Sequence, residues 1–124
     1  MNYASFVTAD GTPTWGVVVD DTVYDLGPSG AGLAETLRAA IEDGVYGNVG
    51  EQYKDAPQHA KDSVTWLPPV TNPQKIICIG VNYRSHQEEA GKALPAAPTV
   101  FTRFADSQMG HEAPAEMPAS TEKY

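Results

Sequence analysis

Prolines at 68, 69 and 73 constrain this sequence more than any other feature, because no helix interior and no central strand runs through Trp66-Leu67-Pro68-Pro69-Val70-Thr71-Asn72-Pro73. Proline fixes φ, lacks an N–H and pushes the residue before it towards extended backbone. One reading of such a run is a ligand for a proline-recognising module. The reading adopted is a stiff connector over 67–74, with a small domain at 1–66 before it and a second domain opening at 75.

The first part reads as α+β. Residues 2–8 and Thr14 to Val19 are strand-like, and Ala9-Asp10-Gly11-Thr12-Pro13 between them is turn chemistry. A second turn at Asp20-Asp21 leads to Thr22-Val23-Tyr24-Asp25-Leu26, which completes three antiparallel strands. Trp15 and Tyr24 are read as packing residues. Between Ala31 and Asp43 the apolar residues Leu33, Leu37, Ala40 and Ile41 follow a helical period that stops at Gly44. The expectation is one amphipathic helix on a small antiparallel sheet, with no catalytic constellation. Residues 45–63 read as loop with room for a short helix, and His59 as a surface histidine.

Beyond the prolines, Ile76-Ile77-Cys78-Ile79 ends at Gly80 and reads as a strand buried on both faces, since an exposed strand alternates apolar with polar. Cys78 then counts as a small core residue. The chain turns at Asn82. Arg84 to Ala90, stopped by Gly91, predicts about two turns of helix. His86 and Glu89 stand three apart, a helical spacing that brings two positions onto one face and lets a carboxylate orient an imidazole. Leu94-Pro95-Ala96-Ala97-Pro98 returns the chain to a strand from Thr99 to Phe104, with Thr99, Phe101 and Arg103 on one face and Val100, Thr102 and Phe104 on the other. Arg103 either grips a substrate carboxylate through paired hydrogen bonds or pairs with an acidic residue of the same protein. Asp106, His111 and Glu112 lie in a loop without recognised ligand spacing, which argues against a metal cluster there.

Across 124 residues the net charge is −8, which excludes a basic nucleic-acid-binding face and asks for a local cationic pocket or a metal wherever an anion binds. The N-terminus lacks the basic and apolar segments of a signal peptide, and no apolar run reaches the ~20 residues of a membrane span. With a single cysteine, no internal disulfide forms. A cytoplasmic protein is expected.

The run Lys75-Ile76-Ile77-Cys78-Ile79-Gly80-Val81-Asn82-Tyr83, then His86, Glu89 and Pro98-Thr99-Val100-Phe101-Thr102-Arg103-Phe104, resembles the start of the catalytic domain in the fumarylacetoacetate hydrolase family. The pattern is an apolar strand, Gly-x-Asn-Tyr-x-x-His-x-x-Glu, and then Pro-x-x-Phe-x-Lys or Arg. The resemblance implies that residues 75–124 begin a mixed β-roll, incomplete here, in an enzyme that hydrolyses a carbon–carbon bond of an acylpyruvate or of fumarylacetoacetate. Related members isomerise or decarboxylate products of aromatic catabolism, of the 2-hydroxyhepta-2,4-diene-1,7-dioate isomerase type. It further implies His86 as general base with Glu89 as its partner, a small anionic oxo-acid as substrate, and a homodimer. Mg²⁺ or Mn²⁺, or else Ca²⁺, is the implied cofactor, held by a Glu-x-Glu pair and a further acidic residue. Those ligands are expected beyond Tyr124, since Glu122 has no glutamate two positions on. The chain alone is therefore expected to bind no metal and to lack turnover. A non-enzymatic relative acting as an interaction subunit is the competing expectation.

Overall fold

The computed structural model describes residues 2–80, 83–89, 91 and 97–120, with the backbone alone at 84, 86 and 87. The predicted turn at Asn82, the return through Leu94-Pro95-Ala96 and the sequence from Glu122 to Tyr124 lie outside the described residues. Two compact units emerge, residues 2–71 with 109–120, and residues 72–108.

The first unit is a five-stranded antiparallel sheet in the order β4-β3-β2-β1-β5. Its strands are β1 (Asn2–Val7), β2 (Pro13–Val19), β3 (Thr22–Asp25), β4 (Gln58–Ala60) and β5 (Thr65–Leu67). The predicted meander is present: Asn2 pairs with Val18 through to Val7 with Pro13, and Gly16 pairs with Asp25 through to Val19 with Thr22. Pro13 is tolerated because it is the first residue of its strand. In the β1–β2 turn, Asp10 accepts from the Thr8 hydroxyl and from the Thr12 N–H, bonds that hold its carboxyl below the usual carboxylate range.

Period-two alternation sends the two sets of side chains to two cores. Trp15, Val17, Leu26, Leu37, Ala40 and Val49 bury one face of the sheet, while Phe6 and Val23 pack with Val64 on the other. Phe6 and Trp15 have no exposed surface, and each such side chain contributes on the order of 2–3 kcal/mol. The packing role read for Trp15 holds; Tyr24 packs edge-to-face on Tyr53, ring centroids 5.0 Å apart.

The helix is shorter than its period predicts. Helix α1 spans Leu37–Glu42, and Thr36 is its N-cap, accepting from the Ala39 N–H at 3.1 Å. The preceding residues are drawn away by other partners: Leu33 donates its N–H to Leu26 O at 2.9 Å, and Ala34 O accepts from Trp15 Nε1 at 2.9 Å. Leu37 and Ala40 are buried as expected, whereas Leu33 and Ile41 are exposed.

Residues 45–63 contain two 3₁₀ turns, Val45–Asn48 and Gln52–Asp55, and the strand β4, which the sequence reading treats as loop. β4 pairs with β3, setting His59 opposite Val23. His59 is accordingly half-buried and not a free surface residue; its ring stands edge-to-face on Phe6 at 5.9 Å and its Nε2 is buried. β5 pairs with β1, and the Ser5 hydroxyl donates to Pro69 O at 2.7 Å just beyond it.

Residues 109–112 return to this unit so closely that only glycine fits at 110. A Cβ there would stand 1.9 Å from Trp66 O. Gly110→Ala is expected to lift this segment off β5 and to cost about 1–3 kcal/mol. Amide hydrogen exchange checks it: faster exchange at 111–113 and at Trp66 and Leu67 is the expected result, and unchanged protection would show that the backbone shifts without loss.

The second unit pairs β6 (Ile76–Gly80) with β7 (Thr99–Arg103), antiparallel, from Ile76 opposite Arg103 to Gly80 opposite Thr99. Helix α2 spans Arg84–Glu89. The α+β class stands. Burial of β6 on both faces does not, because Ile77 is 61% and Ile79 46% exposed, while Cys78 is half-buried. Ile77 and Ile79 share a face with Thr102 and Val100, and among the described residues no second layer covers it. No helix among the described residues is long and apolar enough to cross a membrane.

Candidate functional site

Helix α2 starts four residues after the last residue of β6 and ends as the sequence predicts. Gly91 adopts φ of +60° and donates its N–H to Glu88 O at 3.1 Å, closing the last turn with backbone that only glycine takes without strain. The helix is two turns at most, and it contains both predicted catalytic positions. His86 and Glu89 lie three residues apart within it, in a register where such positions share a face. Glu89 is exposed, and the His86 side chain lies outside the described residues.

Arg103 ends β7, opposite Ile76. Its Nη2 donates to the backbone carbonyl of Ser107 at 2.7 Å, a bond that neither sequence reading includes. That carbonyl belongs to the last residue of the 3₁₀ turn Ala105–Ser107, whose Ser107 hydroxyl in turn donates to Phe104 O at 2.6 Å. Guanidinium has five N–H donors, so this anchor leaves others to reach a ligand carboxylate. The anchor itself fixes the direction of the side chain. Sequence reasoning had no signal for it, because it depends on the turn after the strand and not on the strand.

Among the described residues, no group of three or more His, Cys, Asp or Glu side chains converges to hold a metal ion. The divalent cation that the sequence resemblance implies therefore has no ligand set among the described residues. His111 pairs with Glu112 at 3.6 Å on the surface.

A second polar cluster went unread in the sequence. The Asp25 carboxylate, with no exposed surface, accepts from Thr14 Oγ1 at 2.6 Å, Gly27 N–H at 3.0 Å and Ser29 Oγ at 2.5 Å. His59 Nε2 approaches it to 3.7 Å. The signal was present: an aspartate ends an apolar strand and precedes Leu26-Gly27-Pro28-Ser29-Gly30, a loop that needs an acceptor for its backbone. The serine donates to the aspartate and not to the histidine, an arrangement that positions a loop and does not activate a nucleophile.

Comparison with known proteins bears on α2 and β7. The family described as fumarylacetoacetate (FAA) hydrolase, C-terminal, matches residues 75–124. A mitochondrial oxaloacetate tautomerase of Xenopus laevis is 30% identical over 99% of this chain and 40% of its own length. A mitochondrial oxaloacetate tautomerase of Homo sapiens is 42% identical over 40% of this chain and 16% of its own length. An uncharacterised Staphylococcus aureus protein is 32% identical over 91% of this chain and 44% of its length. The chain thus spans less than half the length of these relatives. No solved structure matches it.

Proposed function

The chain belongs to the fumarylacetoacetate hydrolase family, and on that premise we propose that it is part of an enzyme moving a proton on a small dicarboxylic oxo-acid. The observation that carries this is the position of His86 and Glu89 in α2, inside the segment matched by the family and by relatives named as oxaloacetate tautomerases. In this reading residues 75–124 open the catalytic domain, and the whole acts as a homodimer.

The proposed reaction is the interconversion of keto and enol oxaloacetate. A neutral imidazole at His86 takes the proton from the carbon between carbonyl and carboxylate, the carbonyl oxygen gains a proton, and the carbon skeleton is untouched. An imidazole suits this because its unperturbed pKa of about 6.5 lets it accept and return a proton near neutral pH. Glu89, one helical turn on, holds the tautomer of the ring and stabilises the imidazolium while it carries the proton. Arg103, anchored by Ser107 O, presents its remaining N–H donors to a substrate carboxylate.

The family's description as a hydrolase favours a second reading, hydrolysis of a carbon–carbon bond, with an acylpyruvate as the substrate that the sequence resemblance implies. There His86 takes a proton from water, the hydroxide adds to the distal carbonyl, the carbon–carbon bond breaks, and the departing pyruvate enolate is protonated. Incubating the protein as the cell makes it with each substrate separates the two. Faster loss of the enol absorbance of oxaloacetate with full recovery of carbon as oxaloacetate is the expected result. Pyruvate and a free carboxylic acid from an acylpyruvate, with no effect on the oxaloacetate enol, would replace the first reading by the second.

A further inference from the structure

The first unit carries a half-open pocket of about 280 Å³ that the chemistry above does not use. Ser5 and Thr14, both buried, line it from β1 and β2, beside Pro13. Pro28, Glu35, Thr36, Leu67 and Thr71 complete the lining.

Specific bonds tie several stretches of the lining. Pro28 sits between Gly27, whose N–H reaches Asp25 at 3.0 Å, and Ser29, whose hydroxyl reaches it at 2.5 Å. Glu35 sits between Ala34, whose carbonyl accepts from Trp15 Nε1, and Thr36, whose hydroxyl oxygen accepts from the Ala39 N–H. Between Leu67 and Thr71, Pro69 O accepts from Ser5 Oγ at 2.7 Å. Walls fixed in advance spare a ligand the entropic cost of ordering them.

Two of the lining hydroxyls have fixed roles. The Ser5 hydroxyl proton is committed to Pro69 O and the Thr14 proton to Asp25, so both oxygens offer lone pairs only. Pro13 and Pro28 have no N–H to offer. Glu35 is the one charged residue in the lining, and it is acidic. The hydroxyls of Thr36 and Thr71 adapt to either role, so the fixed lone pairs of Ser5 and Thr14 and the Glu35 carboxylate set the preference, for a ligand with N–H groups and a positive charge, which a net charge of −8 also draws in.

We propose that this cavity is a binding site for a small primary ammonium ion with a short apolar body. The ammonium group pairs with Glu35 and donates to the hydroxyl oxygens of the floor, while the apolar body lies against Pro13, Pro28 and Leu67. Its size, at the lower edge of known ligand cavities, sets the limit at a ligand of about one ring.

Three probes of one shape and different charge test it: benzylammonium, benzyl alcohol and benzoate, titrated into the ¹⁵N-labelled chain and its Glu35→Gln variant. Glu35 is exposed, so the substitution leaves the fold in place. Saturable shifts at the Ser5, Glu35, Thr36 and Thr71 amides are expected from benzylammonium, weakened about tenfold in the variant. Absence of saturable shifts at those amides, equal shifts from benzoate, or an unchanged affinity in Glu35→Gln would each overturn the proposal. Oxaloacetate, an anion, is expected to leave these amides unmoved, so the outcome is independent of the activity proposed above.

Discussion

Asp25→Ala is expected to remove about 3–5 kcal/mol of stability from the first unit, a large part of the 5–15 kcal/mol typical of a folded domain. The carboxylate is fully buried, and three donors converge on it from three places in the chain: Thr14 on β2, Gly27 in the loop after β3, and Ser29 beyond it. Alanine would leave the Thr14 hydroxyl and the Gly27 N–H facing each other with no acceptor, and each orphaned donor costs about 1–3 kcal/mol. The loop would lose its anchor as well. The residue's backbone already ties β3 to its surroundings, donating to Pro57 O at 2.8 Å and accepting from the Ala31 N–H at 3.0 Å. Asp25→Asn keeps one acceptor oxygen and the side-chain volume, so a smaller loss of about 1–2 kcal/mol is expected. Urea unfolding followed by the fluorescence of Trp15 and Trp66 measures both. A loss below about 1 kcal/mol in Asp25→Ala would mean that the loop finds other partners and that the cluster does not hold it.

The parts of this fold that are legible in sequence are those long enough to show a run of strand- or helix-forming residues between turn signals. β1, β2 and β3 are recognised because each runs four to seven residues of strand-forming type and is separated from the next by Asp-Gly or Asp-Asp turn chemistry. β4 and β5 have three residues each, too few for any period, and they exist because the meander presents open edges at Val23 and Phe6 for them to pair with. His59 follows from that pairing: its burial belongs to β3 and Phe6, not to its own neighbours in sequence. The predicted first half of α1 fails for a similar reason. Leu33 fits the helical period, yet Leu26 O and Trp15 Nε1 take the backbone groups of Leu33 and Ala34 that a helix would need. The reverse holds for α2, whose limits are set locally by a polar run and by Gly91. The candidate site is therefore the more legible part of the molecule where it is helical, and the less legible at Arg103, whose partner Ser107 is defined by a turn with no sequence period.

His86→Ala is expected to lower kcat by about 10²–10⁴ in the protein as the cell makes it, the range typical of losing a general acid–base group. The substitution does not threaten the fold. Alanine is the best helix former, and α2 takes its C-terminal limit from Gly91, seven residues from the preceding start at Arg84. KM is expected to change little, since in the proposed reaction His86 meets the substrate at the carbon that loses its proton, whereas the carboxylates fall to Arg103. Glu89→Gln tests the other half of the pair. An amide at that position still accepts a hydrogen bond from the ring but no longer offsets the charge of an imidazolium, so about a tenfold loss in kcat is expected, with the acidic limb of the pH–rate profile displaced to lower pH. The sign follows from the charge: removing the carboxylate makes the protonated ring less favourable, lowering the pH at which half of it is protonated. A displacement to higher pH, or a loss confined to KM in His86→Ala, would remove these two residues from the proton-transfer step and leave α2 a role in substrate binding alone.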